Sequence, residues 1–120
     1  MAILSTSTLM KDNVVKPQGE NLGENKDFMN DTENGRVVYA VLSFGGLWGI
    51  GDKLFALPMD ALTVDTNNER FVTDIREDQL DDAPGFDKDN WPHTIDRDFV
   101  TRVYTHYGYE PYYERDLALA

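Results

Sequence analysis

The densest apolar run in the chain is Val37-Val38-Tyr39-Ala40-Val41-Leu42. In an extended backbone Val37, Tyr39 and Val41 fall on one face and Val38, Ala40, Leu42 and Phe44 on the other, which predicts a central strand covered on both sides. Ahead of it, Asn34-Gly35 separates the run from Phe28-Met29. Both central positions of a type I′ turn need φ > 0, and Asn-Gly meets that need readily, so the segment reads as a β-hairpin. Lys53-Leu54-Phe55-Ala56-Leu57-Pro58 is a further strand, whose proline confines it to an edge or places it at a strand end. Leu62-Thr63-Val64-Asp65 and Arg70-Phe71-Val72-Thr73-Asp74 flank the polar Thr66-Asn67-Asn68-Glu69, a loop of hairpin length. Upstream, Val14-Val15 is a short strand closed by Lys16-Pro17-Gln18-Gly19, and Ser5-Thr6-Ser7-Thr8 offers capping oxygens for one helical turn at most. About six short strands result, with no helix between them. That excludes a parallel βαβ array and favours a small antiparallel barrel, whose closure removes exposed edges. No internal repeat stands out.

After Ile75 the pattern changes. Residues 76–82 are strongly acidic and suit one or two helical turns before Pro84-Gly85 stops them. From Asp96 an amphipathic helix is expected: Asp96 is its N-cap, Ile95 staples to Val100, and Phe99, Val103 and Tyr107 recur every four residues until Gly108 takes the C′ position. Residues 109–120 contain Pro111 and show no periodicity, and read as a tail.

Composition narrows the function classes. The chain has 120 residues, 41% of them hydrophobic, enough for one domain with a core. Eleven Lys and Arg stand against 22 Asp and Glu, a net charge of −11 that repels phosphate backbones. There is no cysteine, so disulfides, thiolate nucleophiles and cysteine-based metal sites are excluded. No apolar run approaches the roughly 20 residues of a membrane span and no signal peptide is visible, so a cytoplasmic protein with no membrane insertion is expected.

The chemical motifs are weak ones. Gly46, Gly49 and Gly51 lack the order of a dinucleotide fingerprint and have no Lys-Ser/Thr after them, so they read as a bent β connection and not as a phosphate loop. Residues 74–98 hold nine carboxylates against three basic side chains. Yet Asp87-Lys88-Asp89-Asn90-Trp91 lacks the glycine and bidentate glutamate of a calcium loop, so a solvated acidic face is the simpler account. His93 and His106 cannot make a three-histidine zinc site, and Ser5, Ser7 and Ser43 sit in no nucleophile elbow. His106 is expected to face outward near a helix C-terminus. No cofactor, metal ion or nucleic-acid partner is expected. Half of the 14 aromatic residues lie between Trp91 and Tyr113, and large amphipathic rings are enriched at interfaces. Leu47 and Trp48 in the glycine stretch, with Phe99, Val103, Tyr104 and Tyr107 on the helix, therefore form the candidate interaction surface, alongside the alternative that the helix simply caps its own barrel.

Three stretches carry a family resemblance: Val41-Leu42-Ser43-Phe44-Gly45-Gly46, then Gly49-Ile50-Gly51-Asp52-Lys53-Leu54-Phe55-Ala56-Leu57-Pro58, then Ala83-Pro84-Gly85-Phe86-Asp87-Lys88-Asp89-Asn90-Trp91-Pro92. Together with Pro17-Gln18-Gly19-Glu20-Asn21-Leu22-Gly23 they resemble small members of the PRC-barrel family. The resemblance implies a mainly β fold, a small antiparallel six-stranded β-barrel at residues 1–92, with residues 93–120 as a C-terminal helix and tail packing on the barrel or on a partner subunit. The same module occurs in the cytoplasmic part of the photosynthetic reaction-centre H subunit and in a ribosome maturation factor, where it binds or assembles, and no shared catalytic residues come with it. The resemblance thus implies a non-enzymatic protein-binding or assembly module, with a protein partner or a second copy as the expected contact; the large side chains concentrated near one helix, more than so small a barrel easily hides, predict a homodimer or higher oligomer. The alternative is a small-ligand or cation-responsive sensor using the acidic segment 74–98.

Overall fold

From its N-terminus the chain makes one helical turn, α1 (Thr6–Leu9), capped by Ser5, whose Oγ accepts from the Thr8 N–H at 3.2 Å. The computed structural model describes residues 3–10, 12–43, 53–80, 83–87 and 97–111. Seven strands follow α1: β1 (Asn13–Val15), β2 (Asn21–Asp31), β3 (Arg36–Ser43), β4 (Lys53–Pro58), β5 (Thr63–Asp65), β6 (Arg70–Val72) and β7 (Gly85–Asp87). A ten-residue helix, α2 (Arg97–His106), comes last. The strands form one sheet in the order β5-β6-β1-β2-β3-β4-β7.

Three expectations are corrected here. Among the described residues the sheet has seven strands and not six, and it is mixed: β1 runs antiparallel to β2 but parallel to β6, with Val14 opposite Phe71. The absence of helices between strands did not forbid that pair, because the return to β1 is made by the whole run β2 to β5, a crossover built of strands. The additional strand is β7, whose Gly-Phe-Asp is too short to show alternation and begins at Gly85, within the Pro84-Gly85 stop. Among the described residues, no ladder joins the outer strands β5 and β7, so the sheet is not closed into a barrel by pairing. It is nevertheless strongly curved. Phe28 of β2 meets Phe71 of β6 edge to face, with ring centroids 6.2 Å apart, although β1 lies between those strands.

Strand β3 is interior to the sheet, between β2 and β4, and is covered on both sides as its two apolar faces predict. Ala40 and Leu42 point into a cluster with Val14, Leu22, Phe28, Phe55, Leu57 and Phe71. Tyr39 and Val41 point the other way, to Leu54, Ala56, Phe99, Val100, Val103 and Tyr104 under α2. Val38 belongs with this second group because the β2–β3 register slips there, Met29 facing Tyr39 and Asn30 facing Val37, which leaves Val38 as the extra residue of a bulge. Strand β2 carries a second irregularity between Asn25 and Asp27, and its buried residues fall at Leu22, Asn25, Phe28 and Asp31. A spacing of three has no place in a regular strand, which is why its polar half gave no strand signal.

The β2–β3 hairpin is present but its turn is not type I′. Gly35 has φ 66°, whereas Asn34 is not among the residues of positive φ. The loop has four residues, 32–35, and Asp31 organises it. Its Oδ1 accepts from the N–H groups of Glu33 (3.0 Å) and Asn34 (3.2 Å), and its Oδ2 from the Asn34 side-chain amide at 2.8 Å. The β5–β6 loop repeats this construction. Asp65 accepts from the Asn68 N–H at 3.3 Å and the Asn68 amide at 2.9 Å, and Glu69, at φ 52°, stands where the first loop has Gly35. Asp31-Thr32-Glu33-Asn34-Gly35-Arg36 and Asp65-Thr66-Asn67-Asn68-Glu69-Arg70 are thus one turn used twice, a short repeat that the pattern of apolar residues alone does not expose.

Candidate functional site

Helix α2 supplies three of the six candidate interaction residues, Phe99, Val103 and Tyr104, and Tyr107 follows its last residue. Its Asp96 cap and Ile95 staple lie outside the described residues, but its C-terminus is well defined. Gly108, at φ 81°, lets the Tyr109 N–H reach the Tyr104 carbonyl (2.9 Å) and its own N–H reach Thr105 (3.1 Å), the paired bonds of a Schellman ending. This cap and the apolar stripe fix which face of α2 meets the sheet. Phe99 lies edge-on to Tyr39 at 5.8 Å and tilted against Phe86 at 6.3 Å. Val103 is wholly buried, and the Tyr104 hydroxyl donates to the Val38 carbonyl at the bulge. Tyr107 crosses to the other cluster, and its hydroxyl has no hydrogen-bond partner.

Phe99, Val103, Tyr104 and Tyr107 therefore lie against the chain's own sheet, each no more than 9% exposed. The other two candidates, Leu47 and Trp48, lie outside the described residues. What α2 offers to its surroundings is polar: Arg97, Asp98, Arg102 and Thr105 are exposed, and the Arg102 guanidinium lies over the Phe99 ring, 5.5 Å from its centroid. His106 is not simply outward-facing. Its Nε2 bonds the Gln79 carbonyl, tying the last turn of α2 to the 3₁₀ turn Glu77–Leu80. This anchor was invisible in sequence because its acceptor is a backbone atom 27 residues away.

The acidic segment is partly committed to local structure. Arg76 donates from Nε to Asp78 at 3.0 Å, and its N–H is held by Gln79 Oε1 at 2.8 Å. Leu80 and Ala83 turn inward to the core. Among the described residues no three of His, Asp and Glu converge into a metal-binding group. Asp81, Asp82, Asp89, His93 and Asp96 lie outside them.

Titration is moved at Asp65, Asp12, Tyr39 and Tyr107, each for a structural reason. Asp65 is lowered, first by the Asn68 amide and then also by Arg70, whose Nε lies 3.1 Å from Oδ2. Asp12 is raised by burial and by the nearby Glu69 carboxylate. Burial pushes the Tyr39 phenol up to about 12 and the Tyr107 phenol upward as well. The two tyrosines sit in different core clusters, on opposite faces of β3. The residues sequence reasoning missed are Asp31 and Asp65, and their signal was the repeated Asp-Thr-x-Asn-x-Arg string.

A family model, the PRC-barrel domain, matches residues 2–80. No curated protein matches the chain.

Proposed function

The chain belongs to the PRC-barrel family, and from that membership we propose that it is a non-enzymatic assembly module, cytoplasmic, that pairs with a second copy of itself. The observation that carries this reading is the family match across residues 2–80, taken with the resemblance drawn above, which implies a module that binds or assembles and shares no catalytic residues. No helix among the described residues is long and apolar enough to cross a membrane. With the α2 stripe buried at home, Leu47 and Trp48 are the large apolar residues of the candidate surface left to make the contact, and tryptophan is the side chain most often found as an interface anchor.

Light scattering across a range of protein concentrations tests it, with a mass clearly above 13.7 kDa expected. Trp48→Ala should weaken association by about 2 kcal/mol or more, the size of an interface hot spot, while leaving the melting temperature of dilute protein nearly unchanged. A monomer at every concentration, or a Trp48→Ala protein that unfolds readily yet pairs as tightly as the parent, overturns the reading. A calcium titration by calorimetry separates it from a cation-responsive sensor, which would give saturable heat.

A further inference from the structure

The exposed tip of the β2–β3 hairpin contains Asn34-Gly35, the dipeptide in which an asparagine side chain is most open to attack by the next backbone nitrogen, because glycine has no side chain to shield it. Both reacting groups are engaged by one residue. The Asn34 amide donates to Asp31 Oδ2 at 2.8 Å, and the Gly35 N–H donates to the Asp31 carbonyl at 2.8 Å. For reaction the Gly35 nitrogen must lose its proton and reach Asn34 Cγ. In the closed turn that proton is held by a carbonyl and the carboxamide is tethered to a carboxylate.

We infer that Asn34 is a self-modification site gated by this turn: opening of the hairpin tip releases an amide-to-aspartate conversion that then prevents the turn from re-forming. In the open form the Gly35 nitrogen attacks Asn34 Cγ, its proton is lost, and the Cγ–Nδ2 bond breaks to release ammonia, leaving a cyclic imide. Water then adds to one of the two imide carbonyls. Cleavage of the bond from Cγ to the Gly35 nitrogen gives an aspartyl residue; cleavage of the main-chain bond gives an isoaspartyl residue, with the backbone routed through Cβ and Cγ. No oxidant or reductant enters. Either product places a second carboxylate beside the buried Asp31 and removes the amide donor to Oδ2. The isoaspartyl form also lengthens the loop backbone, so the Gly35 N–H no longer aligns with the Asp31 carbonyl. The β5–β6 loop is an internal control. Its Asn68 is held by Asp65 in the same way, but the next residue is Glu69, whose side chain shields the nitrogen.

The test follows Asn34 by peptide mapping of the full chain held at mildly alkaline pH, folded in buffer and unfolded in urea. Conversion at Asn34 is expected to be roughly tenfold or more slower in the folded protein, because reaction then waits on local opening, while Asn68 stays unconverted in both. Asp31→Ala should raise the folded-state rate severalfold, and Asp31→Asn, which keeps one capping oxygen, should fall between it and the parent. Asn34→Asp, the direct product, should show faster amide exchange at Gly35. Equal conversion of Asn34 in buffer and in urea overturns the inference, and that comparison requires no variant to fold. So does an Asp31→Ala protein that keeps its circular dichroism and its parental rate.

Discussion

At residue scale the two copies of one turn differ at the position that matters most for backbone strain. Gly35 occupies the left-handed region without penalty, whereas Glu69 at φ 52° places a Cβ where L-residues resist it. Glu69→Gly should therefore raise stability by about 0.5–1 kcal/mol, and Gly35→Ala should lower it by about as much. An added Cβ at Gly35 would meet nothing within 4 Å, so φ and not crowding sets that loss. Urea midpoints at constant slope measure both. Titration gives a second handle. Asp65 is lowered in the folded state, so its contribution is present above the ordinary value of 3.8 and fades as pH falls through the lowered one. Asp65→Asn should flatten the acid limb of a stability–pH curve. The tyrosines act in the opposite direction. Tyr39 moves from 10.0 to about 12, so its contribution is whole below pH 10 and is lost as pH climbs toward 12, where the unfolded chain ionises first. Phenolate absorbance should show buried tyrosines ionising in step with alkaline unfolding, and a separate earlier ionisation of every tyrosine would contradict this.

At the scale of elements, α2 acts as a lid on the sheet. Phe99→Ala should destabilise by about 3–5 kcal/mol, since Tyr39 and Phe86 both pack on that ring. Tyr104→Phe should lose about 1–3 kcal/mol, because the Val38 carbonyl loses its buried donor while the ring's packing is kept. Thermal unfolding of both variants checks the pair, and a Tyr104→Phe loss as large as that of Phe99→Ala would mean that the hydroxyl orders more than one bond. The elements legible in sequence were those whose physics is local. Two-sided burial marked β3, Pro58 marked the end of β4, Ser5 capped α1, and the four-residue spacing with Gly108 marked α2 and its ending. What stayed hidden depends on partners far along the chain. The parallel β1–β6 pair, the bulges of β2 and the short β7 are set by pairing, and none leaves a period in its own residues. The candidate surface was legible only as a set of large apolar residues. Composition could not tell that Phe99, Val103, Tyr104 and Tyr107 face their own sheet, because a stripe that docks at home and one that docks on a partner have the same spacing.

For the whole molecule the net charge of −11 is the dominant long-range fact. It offers no counterion release, so no salt-sensitive binding of duplex DNA or RNA is expected at micromolar protein in an electrophoretic shift. The same charge shapes self-association. Two copies brought together bring two bodies of charge −11, a repulsion that reaches over the screening length of about 10 Å at 0.1 M salt and shrinks to about 3 Å at 1 M. If apolar side chains such as Trp48 make the contact, their attraction is unaffected by screening while the repulsion falls, so the dimer should tighten as sodium chloride is raised. Contacts made by ion pairs, for example the exposed Arg97 and Arg102 of α2 against carboxylates of the other copy, would weaken over the same range. Sedimentation equilibrium at low and high salt, on the parent and on Trp48→Ala, separates the two. Tightening with salt in the parent, and much weaker pairing in Trp48→Ala at every salt concentration, is the expected result. Loosening with salt would move the contact from the apolar pair to the charged surface.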